Sequence, residues 1–195
     1  MSQRYKVMVV GMGKRGMHHA TAFQANPRFE LAGICEIDPA RLDTAAAKLG
    51  NPPKDTDAAV LAKAVRPDVF CFCTLPQIRK DLVRLGVKAG ARLIAFEKPV
   101  AMSSKEGLKI KAILDRAKVK AVVSHQHRYG AHYKQVKAII DQGALGRIHT
   151  VYGTATGWMT HMMSHLVDYM RWYGGEPEAQ WVMGQACGRG KQVGS

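Results

Sequence analysis

Short apolar runs alternate with amphipathic stretches along this chain, and that alternation predicts strands interleaved with helices. Tyr5-Lys6-Val7-Met8-Val9-Val10 is a nearly continuous apolar run that stops at Gly11. Such a run reads as a strand buried on both faces. Residues 16–24 have helical spacing, closed by Asn26-Pro27, and residues 31–35 form a second strand. Pro39 suits the first position of a second helix that ends at Leu49-Gly50, and Asn51-Pro52-Pro53 is a loop. The pattern continues with a short helix over 57–64, a strand over 68–73, a helix over 78–88 and a strand over 92–96. Ser103 and Glu106 make a capping box for another helix, and residues 120–123 make a further strand. Regular alternation of this kind implies an α/β fold, with right-handed crossovers and a doubly wound parallel sheet.

After Ser124 the pattern changes. His125-Gln126-His127-Arg128-Tyr129 is polar and aromatic, and residues 133–142 read as a helix ended by Gly143. Residues 148–156 alternate like an antiparallel strand, 161–173 are helical, and 180–185 read as a strand. We therefore expect a Rossmann-type domain over residues 1–124. Residues 125–195 would begin an α+β domain with a mainly antiparallel sheet, incomplete at Ser195.

Composition narrows the class. The 195 residues are 47% hydrophobic and 23% charged, the balance of a soluble globular protein. No apolar run approaches the ~20 residues that span a bilayer. The N-terminus lacks a signal-peptide core, so a cytoplasmic location away from membranes is expected. Lys and Arg number 29 against 15 Asp and Glu, a formal charge of +14. Lys48, Lys63, Arg66, Arg79, Lys80, Arg84 and Lys88 are dispersed among apolar residues at helical spacing, without interleaved aromatics. That pattern reads as a solvated helix face rather than a nucleic-acid surface. The charge is better suited to attracting an anionic small molecule. Cys35, Cys71, Cys73 and Cys187 include no C-x-x-C pair and read as small buried hydrophobes, with no metal site.

Gly11-Met12-Gly13-Lys14-Arg15-Gly16 matches G-x-G-x-x-G directly after a strand and at the start of a helix. This is the context in which the motif binds a dinucleotide. Gly11 permits the turn, Gly13 lets backbone approach a pyrophosphate, and Gly16 lets helix and strand pack closely. Glu36, twenty residues past Gly16, is placed to accept hydrogen bonds from the adenosine ribose and to repel a 2′-phosphate. It favours NAD over NADP, although Lys14 and Arg15 could supply positive charge. Asp38 competes for that role but sits where a helix cap belongs. Thr74-Leu75-Pro76-Gln77 and Glu97-Lys98-Pro99 both follow strands, at the carboxyl ends where doubly wound sheets bind ligands. The first should touch the nicotinamide-side ribose. In the second, Lys98 should point over the crevice, and Pro99 could follow a cis bond.

These pieces, with Arg128-Tyr129, Gly143-Ala144-Leu145-Gly146-Arg147 and His165-Leu166-Val167-Asp168, resemble the Gfo/Idh/MocA family of nicotinamide-dependent oxidoreductases. The resemblance implies hydride transfer between NAD(H) and a secondary alcohol or ketone of a sugar, inositol or related polyol. It implies that Lys98 and His165 act on the reacting hydroxyl. Arg128, Tyr129 and Asp168 would face substrate, and Glu97 and Lys98 would border the cofactor. Some relatives instead use NAD transiently in hydrolysis or epimerisation, and others only sense dinucleotide. The family often carries an aspartate where this chain has His161. His161, His165 and Asp168 share a helix face, so His161 could join the proton relay or line the pocket. An H-x-x-x-H pair can also bind zinc, but no third ligand is evident and no metal is assigned. Met159, Met162, Met163 and Met170 read as packing. Family members are longer and often associate through the second domain's sheet. The resemblance thus implies that the whole protein forms a homo-oligomer, and that Trp158 and Trp181 are uncovered in this chain alone.

Overall fold

The computed structural model describes residues 4–156 and 159–185, with backbone alone over 159–161. Six strands form one parallel sheet in the order β3-β2-β1-β4-β5-β6. They are β1 (Tyr5–Val10), β2 (Phe29–Cys35), β3 (Lys54–Asp55), β4 (Val69–Phe72), β5 (Leu93–Glu97) and β6 (Lys120–Ser124). The order reverses between β1 and β4, which opens a crevice at their carboxyl ends, the switch point of a doubly wound sheet. The helices are α1 (Lys14–Ala25), α2 (Pro39–Lys48), α3 (Ala58–Val65), α4 (Arg79–Lys88), α5 (Ser104–Ala117), α6 (Ala131–Asp141) and α7 (Met159–Tyr173).

Two apolar clusters cover the two faces of this sheet. One gathers Met8, Phe70, Phe72, Ile94, Phe96, Ile110 and Leu114. The other gathers Val7, Val9, Ile34, Leu42 and Cys71. Adjacent residues of β1 divide between them (Val7 and Val9 on one side, Met8 and Val10 on the other), so a continuous apolar run serves two cores. Capping matches the sequence pattern. Asp38 accepts from the N–H groups of Ala40 and Arg41, and Ser103 accepts from Glu106.

Lys54–Asp55, just after the expected loop, adds a two-residue strand on the edge of the sheet. Two expectations are corrected. Residues 148–156 and 180–185 form no strand, and no antiparallel pairing occurs among the described residues. Alternation provides two faces but no hydrogen-bond partner. The 148–156 segment instead lies against α7, so closely at Gly153 that a Cβ there would stand 2.7 Å from the Met170 sulfur and 2.8 Å from Leu166. Arg79 is the second. It is buried to 3% exposure rather than solvated. Trp158, Cys187 and the side chains of Met159 and His161 lie outside the described residues.

Candidate active site

The glycine-rich turn between β1 and α1 is shaped by backbone proximity. Gly11 has φ +87°, and a Cβ there would meet the Cys73 carbonyl oxygen at 2.9 Å. A Cβ on Gly16 would lie 1.7 Å from the Gly11 oxygen, whereas one on Gly13 would meet nothing within 4 Å. The first and third glycines therefore close the turn, and the second leaves room above it. No side chain caps α1 and its first turn holds no acid, so its leading N–H groups face that room. This is a cradle for an anion, with the helix dipole favouring negative charge.

Glu36 stands beside the cradle at the end of β2. Its buried carboxylate accepts from Met12 N at 2.8 Å and from Asp38 N at 3.3 Å, with the Arg41 guanidinium 3.5 Å away. An ionised carboxylate has about four acceptor positions, so capacity for ribose hydroxyls remains. Thr74, Leu75, Pro76 and Gln77 border the opposite side of the crevice. Leu75 and Gln77 are exposed, and the buried Thr74 hydroxyl has no protein partner. The residues present thus fit a dinucleotide.

Glu97, expected to border the cofactor, has its carboxylate engaged within the protein. Its Oε1 accepts from Arg15 Nε at 3.0 Å and from a terminal Arg15 nitrogen at 2.8 Å, and it lies 3.0 Å from His19 Nε2. Burial alone would raise this carboxyl, but the bonds from His19 and Arg15 outweigh it and hold the group at about 2. The same bond to Glu97 raises His19 against the effect of its own burial. Arg15 is therefore drawn toward β5, and α1 is tied across the crevice. Arg79 makes a second tie. Its guanidinium donates to the Thr74 carbonyl at 2.8 and 3.2 Å and to the Glu97 carbonyl, joining the ends of β4 and β5. Sequence reasoning missed Arg79 and His19. The one hint was a basic residue at the apolar spacing of α4, four residues before buried Val83.

Lys98 follows β5 through a cis Lys98–Pro99 bond. In the parallel register Glu97 pairs with Ser124, which brings His125 and His127 to the same end of the sheet as Lys98. His165 arrives there on α7, with 4% of its surface exposed. Burial first, then the positive fields of His127, Lys98 and His125, push its imidazole down to about 4. His165 is thus neutral at physiological pH and within the electrostatic reach of Lys98. Arg128 and Asp168, expected to face substrate, lie against each other. Arg128 Nε donates to Asp168 Oδ2 at 2.7 Å, a terminal nitrogen lies 2.6 Å from Glu176, and the guanidinium sits over the Trp172 ring at 5.5 Å. The charges of Arg128 and Asp168 are engaged with each other. They line a cleft of about 370 Å³ together with His125 and Ser164. Tyr129 is 70% exposed.

Residues 5–125 match an oxidoreductase family with an NAD-binding Rossmann fold, Gfo/Idh/MocA. The chain belongs to that family. It is 26% identical over 167 residues to the inositol 2-dehydrogenase of Rhizobium meliloti (strain 1021), covering 86% of this chain and 48% of that protein. It is 26% identical over 144 residues to a D-apiose dehydrogenase of Paraburkholderia graminis, covering 74% and 38%. The scyllo-inositol dehydrogenase of Lactobacillus casei, solved with NAD(H) and scyllo-inositol, superposes with a TM-score of 0.78 at 20% identity, covering 89% of this chain and 57% of that one. The chain thus spans about half the length, or less, of these Gfo/Idh/MocA relatives. Among the described residues no helix is long and apolar enough to cross a membrane.

Proposed function

We propose that this chain carries the cofactor half and the proton-transfer pair of a dehydrogenase acting on a secondary alcohol, or the matching ketone, of a sugar, inositol or related polyol. The observation that carries this reading is a buried, neutral His165 within the electrostatic influence of Lys98, which follows β5 at the carboxyl edge, in a chain whose glycine-rich turn is uncapped. Residues 1–124 would hold NAD, and residues from 125 onward would form the substrate side. A mainly antiparallel sheet there would need strands beyond the described residues. The inositol and apiose dehydrogenases among the relatives support a polyhydroxylated substrate.

In this reading the N–H groups at the start of α1 bind the pyrophosphate across Gly13, and Glu36 accepts from the adenosine ribose. Thr74 and its loop border the second ribose. Bound NAD would supply the hydride acceptor. Lys98 orients the reacting hydroxyl by donating a hydrogen bond to its oxygen. The neutral imidazole of His165 takes the hydroxyl proton, a task for a base uncharged at working pH. Arg128 and Asp168, paired with each other, shape the cleft wall. We expect the whole protein to work in the cytoplasm and to be a homo-oligomer.

The test combines calorimetry with NAD and NADP, and absorbance assays of NADH formation against a panel of inositols, pentoses and hexoses. We expect NAD to bind more tightly than NADP, and at least one polyol to be oxidised. Lys98→Met should lower kcat by about 10²- to 10⁴-fold while leaving NAD affinity within a few-fold. Binding of neither dinucleotide, or full turnover by Lys98→Met, would overturn the reading.

A further inference from the structure

The proton-transfer histidine does not stand alone. His127, in the turn that follows β6, lies face to face with His165, with ring centroids 4.5 Å apart and planes 16° from parallel. The other face of His127 stacks on Tyr133 of α6 at 5.1 Å and 11°. His125 meets His165 edge-on at 5.3 Å and 82°. Three elements thus contribute to one column, Tyr133–His127–His165, closed at the side by His125. A ring held in such a column can slide or tilt only if its neighbours move.

We propose that His127 is a positioning residue for the reaction: its ring, clamped between Tyr133 and His165, fixes the plane in which the His165 imidazole meets the substrate hydroxyl. This rests on the dehydrogenase reading above and extends it to a residue that touches neither substrate nor cofactor.

Two further observations separate the column from ordinary aromatic packing. The Nδ1 atoms of both His127 and His165 are buried without a hydrogen-bond partner, as is Nε2 of His125. A buried histidine held by packing alone would ordinarily satisfy its ring nitrogen, because an orphaned polar atom costs about 1–3 kcal/mol. Here stacking, not hydrogen bonding, sets the ring orientation. The charges around His165 also share one sense. Lys98 from the end of β5 and His127 and His125 from the turn after β6 all oppose its protonation, while Glu97 alone favours it. Tyr169 also packs against His127 and Tyr133.

The test compares the parent chain with His127→Leu, which removes the ring, and His127→Phe, which keeps it. The His165 imidazole is titrated by NMR in each, and kcat and KM are measured for the best polyol. In His127→Leu the His165 midpoint should rise above that of the parent, because one of the fields opposing its protonation is removed. Its kcat should fall about 10- to 100-fold with the KM for NAD unchanged. His127→Phe should recover most of kcat and sit between the two in its midpoint. If His127→Leu does not fold, His127→Gln replaces it, being polar and ringless. A ringless variant that loses only thermal stability, with the His165 midpoint and kcat as in the parent, overturns the proposal. A parent that oxidises no polyol defeats the dehydrogenase reading instead, and the NMR midpoints then still decide whether His127 governs His165.

Discussion

The three glycines of the turn after β1 do different work, and single methyl groups separate those tasks. At Gly16 a Cβ would overlap the Gly11 carbonyl at 1.7 Å, so Gly16→Ala must push α1 off the turn. We expect a loss of about 3 kcal/mol in denaturant unfolding and at least a tenfold weaker NAD complex by calorimetry. At Gly13 the methyl meets nothing in the protein, and the backbone there (φ −68°) suits any residue. Gly13→Ala should keep stability within about 1 kcal/mol, yet bind NAD more weakly, because the methyl occupies the space where the pyrophosphate approaches. Equal effects of the two substitutions on stability would argue that the space over Gly13 is not the cofactor's. The turn geometry at Gly11 and Gly16 was legible in the sequence because a glycine motif between a strand and a helix constrains backbone geometry locally. Arg79 and His19 were not. Their partners, the carbonyls of Thr74 and Glu97 and the Glu97 carboxylate, are brought within reach only by the closing of the sheet. Periodicity marks which face a residue occupies, not what waits opposite.

At the scale of elements, α1 is tied to β5 through Glu97, and that tie has a pH window. Glu97 ionises far below its ordinary 4.5, at about 2, so its contribution to stability is present above 4.5 and is lost as pH falls toward 2. His19 is raised above 6.5, so its contribution is complete below 6.5 and is lost as pH climbs through its folded value. The pair therefore stabilises most between those limits. His165 acts in the opposite sense: its neutral burial stabilises above 6.5, an advantage lost as pH falls toward 4. Glu97→Gln removes only the first pair. Melting curves across the pH range should show it less stable than the parent by about 1–3 kcal/mol near pH 5.5, with the gap narrowing on either side. A gap that is constant with pH would mean that packing, not charge, accounts for the tie. Strands β1, β2, β4 and β5 could be read from sequence because their apolar runs are largely buried on both faces, and β6 showed the same kind of run although it is the exposed edge. Residues 148–156 misled because alternation is shared by any segment with one face against a helix, and Gly153 presses against α7 instead of a neighbouring strand.

Taken whole, the molecule is lopsided. Both apolar clusters are complete by Val123, and beyond it His165 is the one buried residue among the described residues. Trp181, Val182 and Met183 stand 77%, 89% and 84% exposed, so the later part contributes little to a core of its own. Burial of apolar surface is the dominant favourable term in folding, so cooperative stability should reside in the first two-thirds of the chain. The cradle at Gly13, Glu36 and Thr74 lies there as well, whereas the ring column needs α6 and α7. A chain ending after residue 125 should consequently melt in a single transition by circular dichroism and bind NAD within about tenfold of the longer form, while forming no NADH with any polyol. An unfolded product would place stabilising contacts past residue 125, on β6 in particular. That strand forms the edge of the sheet with Val122 46% exposed, and it is where the later segments would have to supply cover.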